Sequence, residues 1–214
     1  FMGPNPPVKQ GVVYDQNGEI DPGFRFILVL DIVVNTSLSS HSSIDKFILP
    51  KKPRKEAIKI INKFQGELVE NLSDDSIIAV FVNSDHSFKC ALTIQELFGT
   101  RLDEEDWKFI FKIGLAVGLS VTMDDGYFKD FIEYAKRLGM IAKDSHIILS
   151  HCFKQISSFQ TQKMDQNKVK VLEEKHRDFI GDFCDYAVSN LASEKLSVKT
   201  LSQEIGLSRP QLYR

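Results

Sequence analysis

The sequence is poor in the features that mark a specialised protein. Its 214 residues include one Trp and three Cys, and the net charge is −2. Cys90, Cys152 and Cys184 are far apart and no C-x-x-C pair occurs. That excludes a disulfide framework and a thiolate zinc site; the three read as reduced thiols in a cytoplasm, with Cys90 and Cys184 buried on helices. No apolar run approaches ~18 residues, so no membrane span is expected. No signal-peptide pattern stands at the start. The near-neutral charge gives no global drive toward polyanions. A P-loop, a dinucleotide fingerprint, a nucleophile with a paired base and an internal repeat are all missing from the sequence.

What is present suits one sizeable core and a small appendage: 43% of residues are hydrophobic, with 16 Phe. Phe24 to Val34 is an apolar run broken by Arg25 and Asp31, which reads as a buried strand. Residues 37–50 are Ser-rich and irregular. Lys51-Lys-Pro-Arg-Lys55 opens a helix ending near Gly66 and reads as a solvated helix entrance. Leu68–Leu72 and Ser76–Val82 flank Ser73-Asp74-Asp75 as a hairpin. Further elements are a helix over Asp85–Phe98, a strand over Trp107–Val121, a helix over Phe128–Ala142, a strand over His146–Leu149 and a short helix over Ser150–Ile156. The order β-α-β-β-α-β-α-β predicts an α+β sandwich with a ferredoxin-like split βαβ core. The domains expected are a lead segment over 1–23, the α+β domain over 24–159, a polar linker over 160–168 and an all-α piece over 169–214. A helix from about Val169 to Leu191 is expected to open that last piece. His146, His151 and Cys152 lie across one strand-to-helix junction without a fourth metal ligand, so a packing role is preferred to a metal site.

Several stretches of the larger domain, in the right order, resemble the class III adenylate/guanylate cyclase homology domain. Leu28 to Thr36 (LVLDIVVNT) is similar to the family's F-x-D-I-x-G-S/F-T. Gly66 to Phe81 (GELVENLSDDSIIAVF) is similar to G-x-x-V-K-T-x-G-D-x-x-x-A-x-F. Lys112 to Gly118 (KIGLAVG) is similar to R-I-G-L-H-x-G. Ile132 to Arg137 (IEYAKR), followed by His146 to Ser150, is similar to V-N-x-A-x-R before an I-L-V-S strand. The resemblance implies a cyclase-type fold and a site that holds Mg or Mn on two carboxylates: Asp31, and either Asp74 or Asp75. It also implies a homodimer, since such sites are assembled between two domains. The strand and helix around Gly114–Gly118 and Phe128–Arg137 are the candidate interface.

The departures from the family set the expectation about activity. The base-recognising lysine falls on Asn71 or Glu70, the phosphate-loop glycine on Val34, and the transition-state asparagine on Glu133. Arg137 keeps the family's arginine position, four residues after Glu133, where it fits either a phosphate contact or a helix ion pair with Glu133. Lost transition-state contacts argue against turnover. The chain is therefore expected not to be an enzyme, with no catalytic residue and no cofactor. Mg or Mn is expected only if the site works, the alternative being an active nucleotidyl cyclase acting on ATP or GTP.

The last residues, Leu196 to Arg214 (LSVKTLSQEIGLSRPQLYR), resemble the first helix-turn-helix of an AraC-type DNA-binding domain, close to L-S-V-x-x-L-A-x-x-x-G-L-S-x-x-x-L-Y-R. Ser197 caps a helix whose Val198, Leu201 and Ile205 share a face. Gly206 permits the tight turn, and Ser208 caps a second helix that would enter a major groove with Arg209 and Gln211 toward the DNA. The resemblance implies a bacterial, cytoplasmic signalling protein, a piece of a longer transcription regulator. Its degenerate cyclase-like domain would act as sensor and dimerisation part. The partners implied are DNA, a second copy, and a nucleotide or small-molecule ligand.

Overall fold

The computed structural model describes residues 24–34, 51–69, 76–100, 109–119, 127–143, 145–157, 168–190 and 197–206. In chain order the elements are β1 Phe24–Val34, α1 Lys51–Lys63, β2 Glu67–Leu68, β3 Ser76–Phe81, α2 Ser84–Gly99, β4 Phe109–Leu119, α3 Tyr127–Ile141, β5 Ile147–Ser150, α4 His151–Ile156 and β6 Val169–Leu172. A short 3-10 turn over Glu174–His176, α5 Arg177–Asn190 and α6 Val198–Glu204 follow. The chain divides into two compact units, residues 1–171 and 172–214.

The first unit is built on a six-stranded sheet ordered β2-β3-β1-β4-β5-β6. β1 pairs antiparallel with β3 on one side and β4 on the other, and β4 pairs parallel with β5. The β2-β3-β1-β4 half is the ferredoxin-like arrangement expected. The parallel β4–β5 pair requires a crossover, which α3 supplies.

β1 is apolar except at Arg25 and Asp31 because both of its faces are covered, and successive side chains alternate between them. Phe26, Leu28, Leu30 and Ile32 join the main core with Ala57 and Ile61 of α1, and Phe88, Ala91, Ile94 and Phe98 of α2. Phe98 meets Phe111 of β4 edge-on at 5.7 Å, and Phe26 meets Phe153 of α4 at 5.5 Å. Each such fully buried side chain contributes roughly 1.5–3 kcal/mol. The opposite face carries Ile27 and Val29 under α3, which buries Ile132, Ala135 and Leu138. Gly114 of β4 lets α3 come this close: a Cβ there would stand 2.0 Å from the Ala135 carbonyl oxygen.

The C-terminal end of the sheet differs from expectation. Val169 to Leu172 forms strand β6, and the helix begins at Arg177 rather than near Val169. Lys168-Val-Lys-Val alternates polar and apolar, the period of a strand, and Val169 belongs to the main core. The Gln95 amide nitrogen binds the carbonyls of Ser145 at 2.9 Å and Lys168 at 3.2 Å, tying α2 to the approaches of β5 and β6. The expected linker over 160–168 lies outside the described residues except for Lys168.

In the second unit, α5 stacks Phe179 near Phe183 at 6.2 Å and buries Cys184. α6 starts at a capping box: the Ser197 hydroxyl accepts from the Thr200 N–H, and the Thr200 hydroxyl accepts from the Ser197 N–H. Gly206 takes φ +70°, the left-handed turn expected of it.

Candidate functional site

Asp31 owes its position to the alternation of β1. Counting outward from Ile27 and Val29, it points to the α3 face near the strand's end, where it is half-buried. The register sets Asp31 opposite Ser76 on β3 and opposite Lys112 on β4. Ser76, Asp31 and Lys112 therefore form a polar row across three strands, with cross-strand Cβ atoms about 4.5–5.5 Å apart. The Ser76 hydroxyl donates to Asp31 Oδ1 at 2.5 Å. Asp31 Oδ2 faces α3 at Gly139, where an added Cβ would lie 3.3 Å away.

The sequence pointed to Asp31 alone of this row. Ser76 and Lys112 were missed as site residues because their neighbourhood depends on strand register, which the motif spacing does not give. The signal available was Ser76's place as the first residue of the strand that follows Asp74 and Asp75 in sequence. Asp74, Asp75, Asn71 and Glu70 lie outside the described residues, as does the Val34 side chain.

α3 presents its family positions on the side away from the sheet. Ile132, Ala135, Leu138 and Ala142 are buried against the strands, while Glu133, Lys136 and Arg137 are half-buried and Met140 is exposed. Glu133 was expected either to repel phosphate or to pair with Arg137. Its ion partner is instead Lys136, Nζ to Oε1 at 2.8 Å. A spacing of three brings side chains together on a helix as readily as four. The carboxylate is thus neutralised within its own helix.

Gly114 to Gly118 were expected to face a second copy. All of them are buried, and Gly114 and Gly118 lie under Ala135 and Phe131 of this chain's own α3. The strand part of that expectation therefore lies beneath α3 of the same chain.

Other candidates resolve simply. Among the described residues no group of three or more His, Cys, Asp or Glu side chains converges as a metal site. His151 instead meets Gln155 of its own helix at 2.9 Å. Cys90 and Cys184 are buried, as expected, and Cys152 is exposed. Burial pushes the Cys90 thiol up to about 12. No helix among the described residues is long and apolar enough to cross a membrane. Arg209 and Gln211 lie outside the described residues.

No protein-family profile matches the chain, and no curated protein does. Solved structures do match. The adenylate/guanylate cyclase/hydrolase from Silicibacter pomeroyi is 26% identical with a TM-score of 0.52, over 62% of this chain and 78% of that one. The guanylate cyclase domain of RhGC from Catenaria anguillulae, solved in complex with GTP, is 22% identical with a TM-score of 0.50, over 67% of this chain and 88% of that one. The likeness to the Silicibacter pomeroyi cyclase/hydrolase overturns the expectation that the chain is not an enzyme. The first unit has an adenylate/guanylate cyclase-like fold.

Proposed function

We propose that the first unit is a nucleotidyl cyclase domain, converting ATP or GTP to a cyclic nucleotide and pyrophosphate. The observation that carries this reading is Asp31: a half-buried carboxylate near a strand end, bound by the hydroxyl of Ser76, the residue that follows Asp74 and Asp75 in sequence. The similarity to the Silicibacter pomeroyi protein supports it. In the reaction the ribose 3′-oxygen forms a bond to the α-phosphorus, the bond from that phosphorus to the pyrophosphate oxygen breaks, and the 3′-hydroxyl gives up its proton.

The donors at hand are carboxylate and hydroxyl oxygens, the hard ligands that Mg or Mn takes. Asp31 with Asp74 or Asp75 would hold such ions, which supply Lewis-acid polarisation and ease deprotonation of the 3′-hydroxyl. The chain's own residues do the rest. Ser76 binds one oxygen of Asp31, and the other lies close to Gly139, whose missing side chain permits that approach. Lys112 brings a positive charge to the same row, which offsets the triphosphate in a site where Asn71 offers none. Arg137, half-buried on α3, would meet the nucleotide of a second copy in a homodimer. The Lys136 ion pair reduces the repulsion that Glu133 would otherwise exert on phosphate.

A thermal-shift titration with manganese and a non-cyclisable ATP or GTP analogue tests the site. At 100 times its dissociation constant the ligand is expected to add about 2.7 kcal/mol of stability. Asp31→Ala is expected to abolish the metal-dependent part; a shift equal in both proteins would contradict the assignment.

For the second unit we propose DNA binding as the start of an AraC-type helix-turn-helix. The capping box at Ser197 and the positive φ of Gly206 support this. Arg209→Ala is expected to weaken a site selected from random DNA by roughly 1–3 kcal/mol if that arginine reads a guanine. Equal loss on selected and random DNA would make it a phosphate contact.

A further inference from the structure

Helix α1 carries a surface that neither reading uses. Its sequence holds six cations, Lys51, Lys52, Arg54, Lys55, Lys59 and Lys63, against one carboxylate, Glu56. Pro53, Ala57, Ile60 and Ile61 anchor the helix in the core, and the five lysines are exposed. Lys52, Lys55, Lys59 and Lys63 recur every three or four residues, which makes a straight stripe about 16 Å long. Lys51, Lys52, Lys55 and Lys59 line one shallow depression with Glu56.

This arrangement is unfavourable for the isolated helix. Lys51 and Lys55, Lys55 and Lys59, and Lys59 and Lys63 are like charges one turn apart, which repel. The first turn is cationic and has no acidic residue, the wrong sign for the helix dipole. No carboxylate among the described residues pairs with Lys51, Lys52, Lys55 or Lys59. A polyanion laid along the stripe relieves both penalties at once.

We propose that the lysine stripe of α1 binds the phosphate backbone of a nucleic-acid duplex without reading its sequence. The inner face of α1 is packed in the core, so the helix lies along a backbone and cannot sink into a groove to reach base edges. None of the exposed large apolar residues, Phe24, Val82, Met140, Ile156 and Val188, is on α1. The helix therefore lacks the side chains that a surface-bound helix buries in a bilayer. Lysines act here as point charges, which suits phosphates and not bidentate base recognition.

The test is fluorescence anisotropy of the 214-residue protein with labelled 24-base-pair DNA duplexes of two unrelated sequences, between 50 and 200 mM salt. Contact with four phosphates predicts a slope of log affinity on log salt near −3.6, from about −0.9 per phosphate. K52Q/K55Q/K59Q is expected to flatten that slope by about 2.7 and to weaken binding more than tenfold at 50 mM salt, with circular dichroism unchanged. K52R/K55R/K59R is expected to keep both affinity and slope. R209A, made alongside, is expected to leave the contribution of the stripe intact. Equal affinity and slope for the wild type and the glutamine variant would overturn the proposal. Loss in the arginine variant, a strong preference between the two sequences that the stripe variant removes, or binding to anionic vesicles in place of the duplex would overturn it as well.

Discussion

Gly114 is the position where one methyl group has the largest expected effect. Its Cβ would meet backbone, the Ala135 carbonyl at 2.0 Å and the Gly139 nitrogen at 2.8 Å, so α3 has to move. Gly114→Ala is expected to destabilise the first unit by about 1–3 kcal/mol or more in urea denaturation. Gly139→Ala, with its nearest neighbour at 3.3 Å, is expected to cost less and to act on the site through Asp31. A pair of equally stable variants would contradict the close packing of α3. Cys90 sets an alkaline limit. Its thiol is held neutral, moved from 9.0 to about 12 by burial, so the unfolded chain ionises first. The stability that Cys90 contributes is therefore fully present below pH 9 and is lost as pH rises from there to about 12, by at most roughly 1.4 kcal/mol per pH unit. Thiol titration of the native protein near pH 8 is expected to label Cys152 and to reach Cys90 and Cys184 only on unfolding. Rapid native labelling of all three would contradict their burial. At this scale the sequence was partly legible. Asp31 stands out because a charge interrupts an apolar strand, whereas Ser76 and Lys112 join it only through register, and Glu133 chose Lys136 over Arg137 among neighbours of similar reach.

Among the elements, most announced themselves and β6 did not. β1 runs Phe24–Val34 as its apolar pattern required, and the boundaries of α2, β4 and α3 shift only by a residue or two at their ends. β6 was hidden because a helical pattern with Phe179 and Phe183 follows it closely and draws the helix start back over it. What seats β6 is tertiary: the buried Gln95 side chain and the bond from the Ile147 N–H to the Lys168 carbonyl at 2.9 Å. Gln95→Leu keeps the volume but leaves two carbonyls without that donor, at about 1–3 kcal/mol. Native-state hydrogen exchange is expected to show faster exchange around Ile147 and β6 while β1 and β3 keep their protection. Uniform loss across the sheet would mean that Gln95 serves the global core and is no local clamp. The capping box of α6 was legible for the opposite reason: Ser197 and Thr200 are local in sequence, so no tertiary information was needed.

At the level of the whole molecule, the sequence motifs identified a cyclase-like fold, and the sheet order and solved neighbours bear that out. The expectation that the solved neighbours correct, that the chain is not an enzyme, was drawn from altered residues. It treated each family position as an isolated requirement, although Lys112 lies opposite Asp31 and Lys136 neutralises Glu133. Electrostatic work at a site depends on the summed field, so a cation arriving from a neighbouring strand can offset one missing from a hairpin. The most direct measurement is turnover: purified protein with ATP or GTP and manganese, the products separated by chromatography, beside Asp31→Ala. The account predicts cyclic nucleotide and pyrophosphate in equal amounts from the wild type and none above background from the variant. No product from the wild type with either nucleotide, or product that survives the loss of Asp31, would contradict it.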